Sequence, residues 1–233
     1  DTTPEGEQVN IYGNHVGSWN FAATAYLNRW KVKIYYEHYF DDHSQMFFQY
    51  GRWKDGHIGL EITFPKNRFI DTFVYEGLGT KDQTGPMLYD SFWGKFEEQI
   101  SAKDNYYNHY LYQGWQHWGM GIGNPLLPGP IYNKNGQITF ISNRVLAHHI
   151  GFCGSPCQSL SYRMLLSYSR HWGTYDNPLN EIKKQFNSLF EVTYAPQQLT
   201  GWSFTVSGAM DRGSILGNNY GGMLVIRKQG IIK

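Results

Sequence analysis

Long apolar runs, helical periodicity, cysteine and net charge are all scarce in this sequence, and each scarcity excludes a class of protein. No apolar stretch approaches the ~20 residues that a membrane-spanning helix requires, and mean hydropathy is negative. No segment sustains an apolar repeat at 3.6 residues, so long amphipathic helices are not expected. With 20 Lys+Arg against 19 Asp+Glu the net charge is +1, which gives no electrostatic reason to expect nucleic acid. Only two cysteines occur, Cys153 and Cys157, flanking Gly154-Ser155-Pro156. A hairpin disulfide formed in an oxidising envelope and a pair of free thiols both remain open for them. No second ligand pair accompanies them, so a zinc site is not expected. Also missing are His-Glu-x-x-His, Gly-x-Ser-x-Gly and any phosphate-binding glycine loop. No signal peptide is visible from Asp1 onward, which fits a mature form, a trimmed chain or a fragment.

What the chain has in quantity is aromatic residues and glycine: 18 Tyr, 14 Phe, 8 Trp and 26 Gly in 233 residues. The strongest pattern is alternation at period 2, the mark of strands with two unlike faces. Trp30, Val32, Ile34 and Tyr36 alternate with Lys31, Lys33, Tyr35 and Glu37. Ile58, Leu60, Ile62 and Phe64 alternate with His57, Gly59, Glu61 and Thr63. The same holds from Leu160 to Ser169, from Phe190 to Tyr194 and from Trp202 to Asp211. An all-β chain is expected, with residues 1–233 forming one region and no domain boundary.

Alternation suits a soluble sandwich, whose apolar faces meet each other. It also suits a transmembrane β-barrel, whose apolar face meets lipid between aromatic girdles while the polar face lines the lumen. Connection lengths favour the barrel. Short turns are expected at Leu27-Asn28-Arg29, Pro65 to Arg68, Gly154 to Gln158 and Pro196 to Gly201. Longer connections are expected from Asp41 to Gly56, Gly77 to Asn105, Trp172 to Asn187 and Arg212 to Asn218. Their near-alternation matches an antiparallel up-and-down barrel with short periplasmic turns and long outer loops. This reading requires about ten to twelve strands, including one from Gln137 to Ser142, and leaves the C-terminus periplasmic. Glu181 to Phe186 reads as a helical turn in an outer loop.

The densest cluster of chemistry runs from Asn105 through Tyr107 and His109 to Trp115, His117 and Trp118, and on to Gly123-Asn124-Pro125. Indole and phenol rings stack on sugar faces while amide and imidazole groups bond hydroxyls, so Tyr107, His109, Trp115, His117 and Trp118 are candidate glycan-binding residues. The competing reading makes the rings membrane-interface girdle and the Gly-Pro segment lumen packing. Adjacent His148 and His149 point to opposite faces of a strand and cannot share a metal ion. Asp41-Asp42 and Glu97-Glu98 are carboxylate neighbours that a glycosidase could use, but acidic pairs in loops usually face solvent. No catalytic residue and no cofactor are expected.

Several ordered runs together resemble a known family. They include Gly13 to Trp19, Tyr35 to Ser44, Asn105 to Asn108, Gly114 to Pro125, Asn143 to His149, Ser169 to Pro178, Asp211-Arg212-Gly213 and Gly217 to Met223. These are similar to the Wzi-like capsule assembly proteins in the form found in Bacteroides-type bacteria. The resemblance implies a Gram-negative outer-membrane barrel that assembles or holds capsular polysaccharide without enzymatic activity. It further implies that the chain corresponds to the C-terminal part of a larger barrel. Its partners would then be outer-membrane lipid, capsular polysaccharide and the N-terminal portion of the same barrel, with no nucleic acid. A soluble β-sandwich carbohydrate-binding module, a diffusion pore and an envelope hydrolase are the alternatives. The chain ends Gly230-Ile231-Ile232-Lys233 and lacks the terminal aromatic common in bacterial barrels.

Overall fold

The computed structural model describes residues 17–40, 55–67, 69–82, 105–108 and 115–230. Among them the chain is all-β and antiparallel. Nine strands form one sheet: β1 (Gly17–Leu27), β2 (Trp30–Phe40), β3 (Gly56–Thr63), β4 (Thr72–Gly79), β7 (Val145–Cys157), β8 (Leu160–Gly173), β9 (Pro178–Tyr194), β10 (Trp202–Gly213) and β11 (Asn219–Lys228). A separate two-stranded hairpin, β5 (Gln116–His117) with β6 (Met120–Gly121), lies between β4 and β7 in sequence. Each large strand pairs with the next, β4 passing directly to β7, which is an up-and-down order throughout. The edges β1 and β11 do not pair with each other among the described residues.

Register divides the side chains into two unlike faces, because directly opposed residues of an antiparallel pair share a face. Phe21↔Tyr36↔Ile58 begins one face, and Ile150↔Leu166↔Ser188↔Met210↔Tyr220 continues it. The other face carries Asn20↔Glu37↔His57 and, further along, His149↔Ser167↔Asn187↔Asp211. The apolar face stays open: Ile34 is 55% exposed, Val206 61% and Leu224 65%. The small buried core lies on the polar side instead, where Leu78, Val145 and Ala147 meet Leu127 and Phe140.

Turn chemistry explains the hairpins. Asn28 and Arg29 both have positive φ, 46° and 76°, the backbone of a two-residue hairpin whose twist matches its strands. Asn67 closes the β3–β4 connection by accepting the N–H groups of Phe69 and Ile70 at 2.8 and 2.9 Å.

Eleven strands occur among the described residues, nine of them in the main sheet. Three sequence expectations need correction. Gln137 to Ser142 is not a strand, because side-chain amides occupy its backbone. Asn108 exchanges two hydrogen bonds with Phe140 (2.8 and 2.9 Å), and Asn133 donates to the carbonyls of Gln137 and Thr139 at 2.7 Å each. The long connection from Trp172 to Asn187, with its helical turn at Glu181 to Phe186, is mostly strand. Only residues 174–177 join β8 to β9, closed where Asn177 N–H donates to Thr174 Oγ1 at 2.9 Å. Finally, β7 runs on to Cys157 through a bulge after Gly154, moving that turn to Gln158-Ser159. Pro156 is accommodated there because a bulge frees its position from the ladder.

Candidate functional site

The segment 115–143 lies across the polar face of β2, β3, β4 and β7, and the space beneath it is the candidate site. It is seated by the Leu127 and Phe140 core contacts and by a ring stack of Tyr107 on Phe140 at 5.1 Å. Ile131 N–H donates to Gly119 at 2.8 Å and Ile122 N–H to Trp115 at 2.8 Å, folding the segment on itself. Glycine permits the close packing: a Cβ on Gly121 would stand 2.9 Å from the Phe140 ring.

A polar anchor ties the segment to the strand ends. Buried Asp55 accepts Asp82 N–H at 2.9 Å and the Tyr106 hydroxyl at 3.3 Å. Fully buried Asn143 donates to Asn105 Oδ1 and, at 2.9 Å, to the Tyr106 carbonyl. His171, also buried, contacts Ser169 Oγ at 2.8 Å and Ser142 Oγ at 3.4 Å. Buried polar groups must be paired or they destabilise the fold, so these contacts hold the segment in one place.

Beneath it the strands supply a connected polar cluster. Tyr35, Gly59 and Glu76 are register partners on β2, β3 and β4. With no side chain at Gly59, the Tyr35 ring lies over it, and the hydroxyl donates to the Glu76 carboxylate. His57 stands between two carboxylates, its Nε2 3.5 Å from Glu76 and its Nδ1 3.8 Å from Glu37. His149 Nδ1 lies 2.7 Å from Ser167 Oγ. A cavity of about 240 Å³ separates His57, Glu76, His149 and Ser167 from Asn124, Pro125 and Leu126. A second, of about 390 Å³, shares His57, Leu78 and Asn124 and reaches Glu37, Tyr39 and Tyr107. Among the described residues no group of three or more His, Cys, Asp or Glu could hold a metal ion. The cluster is suited to bonding hydroxyl-rich ligands or water and to bracing the three strands.

The candidate glycan residues are dispersed. Tyr107 packs against the core at φ 66°. Trp115 is half-buried, with its indole N–H enclosed and without a hydrogen-bond partner among the described residues. His117 and Trp118 sit at the tip of the β5–β6 hairpin, their rings edge to face at 6.1 Å. Trp118 is 83% exposed and held at φ 53°. His109 lies outside the described residues, as do both acidic pairs, Asp41-Asp42 and Glu97-Glu98. His148 and His149 face opposite sides, His148 meeting the Tyr75 hydroxyl at 2.8 Å. Cys153 and Cys157 are free thiols. Sequence reasoning did not assemble Tyr35, Glu37, His57 and Glu76, because that requires the β2–β3–β4 register. The available signal was the lone Gly59 inside an alternating strand, which marks a close approach of another group.

No family model, curated protein or solved structure matches this chain.

Proposed function

We propose that this chain forms part of an outer-membrane β-barrel of the Wzi-like capsule assembly family. In this reading it retains capsular polysaccharide at the cell surface and performs no catalysis. The observation that carries it is the exposed apolar face. On that face Trp30, Phe152, Tyr162, Tyr194 and Trp202 lie towards one end, and Trp19, Tyr168, Phe186 and Tyr220 towards the other, with aliphatic residues between. Phe186 and Tyr194 are eight positions apart on β9, or about 20 Å of height for a strand rising ~3.3 Å per residue and tilted by ~40°. That is close to the ~25 Å apolar band of outer-membrane barrels. A soluble module would leave the same face in water, where so large an apolar patch favours aggregation.

The end reached by the connections 41–55 and 80–144 is then the outer one, and the C-terminus lies on the periplasmic side. The covered polar face supports a plugged lumen rather than an open diffusion pore. Trp118 supports the glycan role as a large ring, 83% exposed, presented at the tip of the β5–β6 hairpin.

Two measurements test this. The purified protein should be monodisperse in detergent and aggregate when detergent is removed; a monodisperse protein in plain buffer refutes the lipid-facing reading. Trp118→Ala should lower surface-bound capsular polysaccharide at unchanged levels of folded protein. Unchanged capsule would remove Trp118 from the site without touching the barrel.

A further inference from the structure

Three neighbouring strands, and the residues just past the ends of β4 and β7, each place one cation on the apolar face at or just beyond the outer aromatic row. Arg170 of β8 and Lys184 of β9 are directly opposed, one same-face step past the opposed pair Tyr168 and Phe186. Arg212 of β10 opposes Phe186. On the other side the ladder continues past β4 and β7, with Thr80 N–H donating to the Val145 carbonyl at 2.9 Å. The next residues, Lys81 and Arg144, therefore return to the apolar face. Trp172 N–H donates to the Arg144 carbonyl at 3.0 Å, and Lys81 Nζ and the Arg170 guanidinium lie over the Trp172 ring at 5.1 and 5.5 Å. The Arg144 guanidinium covers the Tyr175 ring at 4.1 Å.

Like charges directly opposed across a ladder destabilise a sheet, yet none of these five cations forms an ion pair with a carboxylate among the described residues. From this row down to Lys228 at the far end, the apolar face of the described strands carries no Lys, Arg, Asp or Glu. The row is thus a belt of positive charge at the rim of the apolar band, without a carboxylate partner among the described residues. If the apolar band lies in lipid, as proposed above, the belt stands at headgroup depth in the outer leaflet. Arginine and lysine there attract anionic headgroups, and arginine can grip phosphate with two hydrogen bonds.

We propose that Lys81, Arg144, Arg170, Lys184 and Arg212 form a binding site for the phosphate groups of an outer-leaflet lipid. Trp172 and Tyr175 serve as aromatic supports that hold the cations outward. The phosphates supply the counter-charge that no carboxylate of the described residues gives the opposed Arg170 and Lys184.

The test uses the protein in phosphatidylcholine nanodiscs doped with diphosphoryl lipid A, with dephosphorylated lipid A as the comparison and lipid retention read by native mass spectrometry. Diphosphoryl lipid A should be enriched around the protein, and the dephosphorylated form should not. Each cation removed should weaken retention by roughly fivefold, so Arg170→Gln with Lys184→Gln should lower it by more than tenfold. Lys228→Gln, at the other end, should leave it unchanged. Lys184→Gln alone serves if the double variant does not fold, since Lys184 is exposed. Millimolar inorganic phosphate should not displace the lipid; full displacement would assign the belt to free anions and overturn the proposal. Equal retention of the dephosphorylated lipid, or no effect of the substitutions, would overturn it as well. A protein that needs detergent yet shows no phosphate preference refutes the belt alone, whereas one that is soluble without detergent refutes the lipid-facing reading beneath it.

Discussion

Gly59→Ala is a small change whose sign tests the architecture of the polar cluster. Glycine weakens a strand, so alanine at an unhindered strand position should stabilise by about 0.5–1 kcal/mol. Gly59 is hindered: a Cβ there would overlap Cζ and Cε2 of the Tyr35 ring. The ring must swing away, and its hydrogen bond to Glu76 is lost with it. A hydrogen bond to a charged group contributes about 1.5–3 kcal/mol. Glu76 is 28% exposed, which favours the lower half of that range. Adding the lost ring contact and subtracting the backbone gain gives a net destabilisation of about 1–2 kcal/mol for Gly59→Ala. Urea unfolding in detergent micelles, followed by tryptophan fluorescence, measures it. The decisive comparison is a double-mutant cycle with Tyr35→Ala, since the alanine no longer meets a ring once Tyr35 is truncated. Gly59→Ala should then be neutral or stabilising, giving a coupling of about 2 kcal/mol. An equal cost in both backgrounds would refute the account of Tyr35 seated over glycine.

Two further outcomes follow from the fold. Phe140→Ala removes a buried ring from the contact between the covering segment and the sheet and should cost about 3–5 kcal/mol locally. Limited proteolysis should then cut within residues 115–143 while circular dichroism keeps the strand signal; unchanged protection would show that the segment is held by other contacts. Cys157 is exposed and Cys153 half-buried, so both should react with maleimide without reductant, Cys157 faster. A requirement for prior reduction would mean that they are bonded.

Strands were legible where one face is apolar and the other polar along their whole length, as in β2 and β10. They became illegible where they pass the rim. The first half of β9 reads Asn180-Glu181-Ile182-Lys183-Lys184-Gln185, which looks like loop or helix. There Lys184 faces outward past the apolar band, while buried Gln185 turns inward to accept the N–H groups of Ile215 and Leu216 at 3.3 and 3.1 Å. Polar residues on both faces erase the alternation. The opposite error arose at Gln137 to Ser142, where Ile138 and Phe140 alternate convincingly. The amides of Asn108 and Asn133 had already claimed the backbone that a neighbouring strand would pair, and no local pattern reveals a partner 32 residues away. The candidate site suffered for the same reason. Tyr35, Glu37 and His57 were each visible on a polar face, but their meeting with Glu76 depends on register between three strands.

The nine-strand order also constrains how a ring could be completed. Nine is odd, and direction reverses at every step, so β1 and β11 point the same way. Joining these edges directly would create one parallel seam in an otherwise antiparallel wall. A wholly antiparallel ring needs an odd number of additional strands, whichever segments supply them, and the strand beside each edge must run opposite to it. Edge amides and carbonyls left open in hydrocarbon cost several kcal/mol each, so in a membrane one of these two closures must occur. Parity therefore turns the open sheet into a countable requirement: crosslinks placed on β1 and β11 would report either one parallel neighbour or two antiparallel ones.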